Sequence, residues 1–317
     1  MAPRWVAPIA VCMINWVHDY SLEHMLMDSG STLVGPLSVT LPLATAAVTS
    51  CAGAFWKMER GLTVRRAADW RALCGCAALL GAGSVLSMRS LNFVSFPVRL
   101  VGKSCKPAAT ALVASLAARS GMDVHHRNWP RAVAVGVGGA LYLGYVSWAD
   151  EHAQQSASSG VVLLALSVGC EAIAVVIEEA LLAHRRACPV DLAVRINRWK
   201  LPLLLILACW GGAPAMMMLG TRLVALCFIL SVLGACGQLC IFTTVQLYGG
   251  EFASSLGVFR KAGTLWLSSR NFGHSVSTVQ FCGLAIMALG MVLPRRLGPR
   301  RVSVESYRRL APQPIPV

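Results

Sequence analysis

Ten long apolar runs dominate this chain, at residues 5–22, 33–55, 72–88, 91–118, 132–148, 160–183, 201–219, 223–248, 252–269 and 276–293. Each is about long enough to cross roughly 30 Å of hydrocarbon as a helix. Only 13% of the residues are charged and 56% are hydrophobic, whereas a soluble domain carries about 25% charged residues and no repeated runs of this kind. The fold expected is all-α and integral to the membrane, with ten transmembrane helices.

An even number of spans puts both termini on one side, and the basic residues say which side. The loops after spans 2, 4 and 6, together with the termini, hold Arg4, then Lys57, Arg60, Arg65, Arg66 and Arg71, then Arg119, Arg127 and Arg131. To these add Arg185, Arg186, Arg195, Arg198 and Lys200, and the tail residues Arg295, Arg296, Arg300, Arg301, Arg308 and Arg309. The opposite loops hold only Arg89, Arg222 and Arg270. The positive-inside rule then places both ends in the cytosol. Most of the net charge of +14 is accounted for by topology, which leaves a nucleic-acid partner little to explain.

The first run is read as a span and not a cleaved leader, because Asn15, Trp16, His18, Asp19 and Tyr20 make a poor cleavage region. The basic, proline-rich segment 295–317 is expected to be a disordered cytosolic tail. Most of the twelve cysteines fall inside predicted helices, where a thiol acts as a small hydrophobe. Cys74 and Cys76 lack the second pair or histidine cluster that a zinc site needs, so neither a metal nor a cofactor is expected.

The polar stretch Asp150–Ser159 divides the spans into five and five, residues 1–150 and 151–294. An odd number of helices per half forces the halves into opposite orientations, as in the two inverted five-helix repeats from which many secondary transporters are built.

Five basic residues lie inside spans: Arg99, Lys103 and Lys106 in the fourth, Arg260 and Lys261 in the ninth, the fourth helix of each half. At roughly 2.5 to 3.5 kcal/mol each at mid-bilayer, five uncompensated cations would cost on the order of 12 to 17 kcal/mol. An anionic ligand would offset that. Spacings of four and three put 99, 103 and 106 on one helical face, with Gly102 and Thr110 on the same side, and Pro97 and Pro107 can bend the helix where it lines a cavity. In the ninth span Ser254, Gly257, Lys261, Thr264 and Ser268 form a small polar stripe around one cation, and Arg260 lies about 100° away, facing a neighbouring helix or the cavity edge. The competing reading is a structural network with buried acids. Glu178, Glu179 and Glu23 are placed near span ends, leaving Glu171 as the one deep acid and the cavity net positive. Gly136, Gly138 and Gly139 are read as close-packing residues, not as a phosphate loop.

The run Phe93–Pro107 (FVSFPVRLVGKSCKP) resembles the fourth helix of nucleotide-sugar transporters in solute carrier family 35, subfamily B, of the drug/metabolite transporter superfamily. Gly237–Gly249 (GQLCIFTTVQLYG) and the pair Arg260–Lys261 fall on the same family's pattern, and Glu171, Glu179 and His184 fall on its acidic and histidine positions. The resemblance is to the UDP-galactose/UDP-glucose and ATP/ADP branch. It implies ten helices with cytosolic ends and exchange of a nucleotide-sugar across an ER or Golgi membrane. It also implies that Lys103, Lys106, Arg260 and Lys261 bind phosphate and that Gln238 contacts the nucleotide or sugar. Arg99 stands where the family usually has glutamine.

The function expected is therefore an antiporter, not an enzyme, moving UDP-galactose or UDP-glucose against UMP, a nucleoside monophosphate, by rocking of the two halves. Arg99, Lys103, Lys106, Glu171, Gln238, Arg260, Lys261 and Thr264 are the expected substrate site. An ATP/ADP or phosphoadenosine phosphosulfate carrier is the rival of the same fold. A non-transporting scaffold and a membrane-embedded transferase built on Asp150, Glu151 and His152 are rivals of other classes. The oligomeric state is left open, a homodimer included.

Overall fold

The computed structural model describes residues 6–29, 34–55, 67–119, 130, 132–138, 141, 154–185, 189–211, 221–248, 252–254, 256–257, 260 and 277–292. No strand occurs among them. The helices are α1 (Val6–Ser29), α2 (Val34–Phe55), α3 (Ala67–Arg89), α4 (Phe96–Ser104), α5 (Lys106–Arg119), α6 (Gln154–Arg185), α7 (Pro189–Gly211), α8 (Thr221–Tyr248) and α9 (Thr278–Val292). Residues 132–138, 252–254, 256–257 and 260 are helical as well.

Among the described residues, three helices are long and apolar enough to cross a membrane, Trp70–Asn92, Ser158–Leu182 and Val224–Tyr248, and Leu37–Gly53 and Thr278–Gly290 are shorter apolar helices. Large apolar side chains face outward at helical spacing, as with Ile9, Met13 and Val17 on α1 and Leu112 and Leu116 on α5, each half exposed or more. A surface this apolar along whole helix faces is a surface for lipid. The chain is an integral membrane protein built of helices.

Hydroxyl side chains are accommodated inside by turning back on their own helix. Thr45, Thr49, Ser50, Ser84, Ser104, Thr110 and Ser231 each donate to the carbonyl four residues earlier at 2.7–2.9 Å, which satisfies the group without a partner helix.

Helix α1 packs on α8, α2 on α7 and α8, and α3 on α6 and α7, while α4 and α5 both lie against α6. Two apolar clusters form at opposite ends of α3 and α8. One joins Leu73, Cys76, Ala174, Leu192, Ile196 and Phe242. The other joins Leu22, Leu37, Met88, Phe96, Leu100 and Leu230. Between them, at Gly81–Ser87 of α3 and Gly234–Gln238 of α8, polar side chains enter the interior beside a smaller apolar cluster of Val39, Ala46, Val85, Leu204 and Ala208.

Several boundaries differ from expectation for identifiable reasons. The fourth run is two helices, α4 and α5, broken at Cys105: Pro107 has no N–H to give the Lys103 carbonyl, and the Cys105 N–H bonds the Gly102 carbonyl at 3.1 Å instead. Helix α6 begins at Gln154, so much of the stretch expected to be a polar loop is its first turns. The largest difference is α7, which starts at Pro189 with Asp191 in its first turn, both favourable helix-start residues. Arg195, Arg198 and Lys200, expected in a cytosolic loop, are therefore helical, and Lys200 is only 5% exposed.

Candidate functional site

The polar band is organised by close approaches at glycine. The space that a side chain at Gly83 would fill is taken by Glu171, whose Cγ would lie 3.0 Å from a Cβ there, and the stem of Lys200 crosses Gly81 at 3.6 Å. On the opposite side, Asn15 fills the space at Gly237, and Thr45 takes most of that at Gly234, with His18 Nε2 3.6 Å from a Cβ there. Small residues thus let α3 and α8 admit long polar side chains from α6, α7 and α1.

Glu171 on α6 receives both lysines of the broken helix. Lys103 Nζ donates to Oε1 at 2.8 Å, and Lys106 Nζ to Oε2 at 3.3 Å. The two lysines lie on either side of the break at Cys105 and still converge on one carboxylate. Arg99, one turn earlier, points elsewhere. Its Nε donates to the Ser87 carbonyl at 3.1 Å and to the Ser87 hydroxyl at 3.0 Å, and its guanidinium lies 5.8 Å from the Phe96 ring centroid. Arg99 nonetheless stays within Coulombic reach of Asp19, Glu171 and Arg260.

Arg260 meets α1, with Nη1 3.3 Å from Asp19 Oδ2. Asp19 Oδ1 lies 3.3 Å from His18 Nδ1. Of the neighbouring helix and the cavity edge expected for Arg260, the contact is with the helix α1, and Asp19 is not one of the acids the sequence offers as a partner. The signal in the sequence that could have found it is the spacing of Asn15 and Asp19, four residues apart, which marks one polar face of the first run.

The acids placed near span ends need correcting as well. Glu178 and Glu179 are 3% and 6% exposed within the long helix α6, so Glu171 is not the one deep acid. Glu178 lies within Coulombic reach of Lys106, Glu171 and Lys200 and accepts a weak contact from Cys76 Sγ at 3.9 Å. Linked in this way, the interior holds Arg99, Lys103, Lys106, Lys200 and Arg260 against Asp19, Glu171 and Glu178. Compensation by acids is larger than the sequence indicated, yet the described cluster remains formally positive.

Gln238 is described and touches the same band: its Oε1 accepts from Asn197 Nδ2 at 3.3 Å. Lys261, Thr264 and the tail 295–317 lie outside the described residues, as do Asp150, Glu151 and His152. No group of His, Cys, Asp and Glu suited to a metal ion occurs among the described residues.

A protein solved by crystallography superposes with a TM-score of 0.63 over 91% of this chain and 97% of its own, at 12% identity, so the fold is shared. Among curated proteins, solute carrier family 35 member B1 of Danio rerio is 26% identical over 71% of this chain and 70% of its own length. The UDP-galactose transporter homolog 1 of Schizosaccharomyces pombe is 22% identical over 80% and 81%. The human adenosine 3'-phospho 5'-phosphosulfate transporter 1 is 25% identical over 68% of this chain, which spans about half (52%) of that relative. A match to the family description runs from residue 5 to residue 297, which takes in every helix above and makes this chain a member of the UAA transporter family, a family of transporters and not of enzymes.

Proposed function

We propose that the protein is a nucleotide-sugar antiporter of an ER or Golgi membrane, exchanging UDP-galactose or UDP-glucose for UMP, with both termini in the cytosol. The observation that carries this reading is the Lys103–Glu171–Lys106 bridge: two ammonium groups brought together in the helix interior by one shared carboxylate. A phosphate offers more oxygens and more charge than a carboxylate, and lysines engage it as point charges. The names of the relatives fall within the same substrate class.

The helix contacts support two five-helix repeats of opposite orientation, 1–150 and 151–294. Counting α4 and α5 as one span, the first helix of each half packs on the third of the other, α1 on α8 and α6 on α3, and the two second helices pack on each other, α2 on α7. The ion pairs follow the same exchange. Lys103 and Lys106 in the fourth span of one half reach Glu171 in the first helix of the other, and Arg260 in the ninth span reaches Asp19 in α1. Rocking of one half against the other opens and closes these pairs around a bound ligand. Lys261 and Thr264 complete the phosphate site from the ninth span, and Gln238 and Asn197 read the nucleoside or sugar. The residual positive charge disfavours return of an empty site, which couples export of UMP to import of the sugar nucleotide.

Purified protein in liposomes loaded with UMP should take up labelled UDP-galactose, and unloaded liposomes should not. Uptake of ATP or phosphoadenosine phosphosulfate in its place would shift the substrate to the rival class. Movement of no nucleotide at all would overturn the reading.

A further inference from the structure

Lys200 is a buried ammonium whose surroundings do not account for its charge. It lies in the interior of α7 and is 5% exposed. Its one hydrogen bond among the described residues is a long one, 3.5 Å to the Ser84 hydroxyl, and that hydroxyl donates its own proton to the Leu80 carbonyl at 2.7 Å. No carboxylate of the described residues lies at ion-pair distance, although Glu171 and Glu178 are within Coulombic reach. Every other described cation of the cluster is better matched: Lys103 and Lys106 by Glu171, Arg260 by Asp19, Arg99 by Ser87 and the Phe96 ring. A buried charge left in this state is costly unless something pairs with it.

The position of the ammonium says what could do so. The stem of Lys200 crosses Gly81, and Glu171 sits against Gly83. Ser84, which meets the ammonium, is thus the residue beside the glycine that accommodates the carboxylate bridging Lys103 and Lys106. Lys200 therefore reaches, from α7, the same turn of α3 that the two lysines approach from α4 and α5. An anion seated on Lys103 and Lys106 would have a further acidic group near Lys200.

We propose that Lys200 is an additional phosphate-binding residue of this site, contacting a second phosphoryl group of the ligand and favouring diphosphates and triphosphates over monophosphates. The inference rests on the transport reading and deepens it: a nucleotide-sugar carries two phosphoryl groups and UMP one, so Lys200 distinguishes imported from exported ligand.

The test uses full-length protein carrying Lys200→Met, which removes the charge at similar volume, and Lys200→Arg, which keeps it. Thermal unfolding is followed without ligand and with UMP, UDP-glucose and ATP, and exchange is measured in liposomes. Lys200→Met is expected to unfold at or above the wild-type temperature without ligand, because an unmatched buried charge is gone. It should lose about tenfold in apparent affinity for UDP-glucose and ATP, with UMP changed less than threefold, and Lys200→Arg should retain the wild-type order. Equal losses for all three ligands, no loss, or a lowered unfolding temperature without ligand would each overturn the role. Wild-type exchange with an unchanged Lys200→Met ligand order removes this inference alone, whereas absence of wild-type exchange and of any wild-type thermal response removes the transport reading itself.

Discussion

Asp19 and Glu171 stand in the same relation to the cations opposite them. Each sits on a helix interior and meets basic side chains from a different part of the chain, Asp19 meeting Arg260 at 3.3 Å and Glu171 meeting Lys103 at 2.8 Å. Each also lies beside a glycine-lined helix, α8 for the segment of α1 around Asp19 and α3 for Glu171. The two carboxylates are therefore fixed points between which the basic residues are hung, and changing either one tests a definite arrangement.

Glu171→Gln leaves Lys103 and Lys106 without their shared counter-charge. Breaking a buried pair by removing one partner costs about 3–5 kcal/mol, so the ligand-free variant should unfold well below wild type. Nucleotide should restore part of the difference, since phosphate replaces the missing charge. Thermal unfolding of detergent-purified protein with and without UDP-glucose measures both, and an unchanged ligand-free unfolding temperature would contradict the bridge.

Lys103→Gln and Lys106→Gln should each lower nucleotide affinity by about tenfold to a hundredfold, from roughly 1.5–3 kcal/mol per charged hydrogen bond. Because the two share Glu171, the double variant should fall short of the sum of the single effects. Competition of labelled UDP-galactose uptake by unlabelled ligand gives the three affinities, and strict additivity would argue against a common phosphate site.

Asp19→Asn and Arg260→Gln form a cycle of their own. Contacting residues couple by about 0.5–3 kcal/mol, so the damage from either change should be largely absent once the other is made. The readout is unfolding temperature for the pair and exchange rate for its role in rocking. Independent effects of the two changes would separate Arg260 from α1.

Glycine substitutions give a stability contrast without touching the charges. A Cβ at Gly138 would lie 2.5 Å from the Gly283 carbonyl oxygen and 2.9 Å from the Met287 backbone nitrogen, whereas one at Gly75 meets nothing within 4 Å. Gly138→Ala forces backbone apart and should cost about 1–3 kcal/mol, while Gly75→Ala should be neutral or mildly stabilising. Unfolding temperatures of the two variants, compared side by side, decide it.

The class of fold and part of the site were legible because both depend on local spacing. Apolar runs of membrane length read directly as helices, and of the three cations spaced by four and three, Lys103 and Lys106 do converge on Glu171 whereas Arg99 turns to Ser87. Pro107 marked where that helix bends. Which acid each cation meets was not legible, because Lys103–Glu171 and Arg260–Asp19 join residues far apart in sequence, and spacing along one helix carries no information about another. Lys200 escaped for a different reason: the apolar run begins one residue after it, so hydropathy placed it outside the span. Pro189 and Asp191 held the better signal for the start of α7, since a helix begins where its first turn is favourable and not where its apolar stretch begins.

The break at Cys105 places a joint in the backbone between the two lysine grips. Were residues 103 and 106 on one rigid helix, the separation of their ammonium groups could change only by rotamer exchange. With the chain bending between them, a movement of α5 relative to α4 alters that separation directly. Such a joint would turn the length of any anion bound across it into an angle between α4 and α5, a displacement of main chain where a single rigid helix could respond only with side chains.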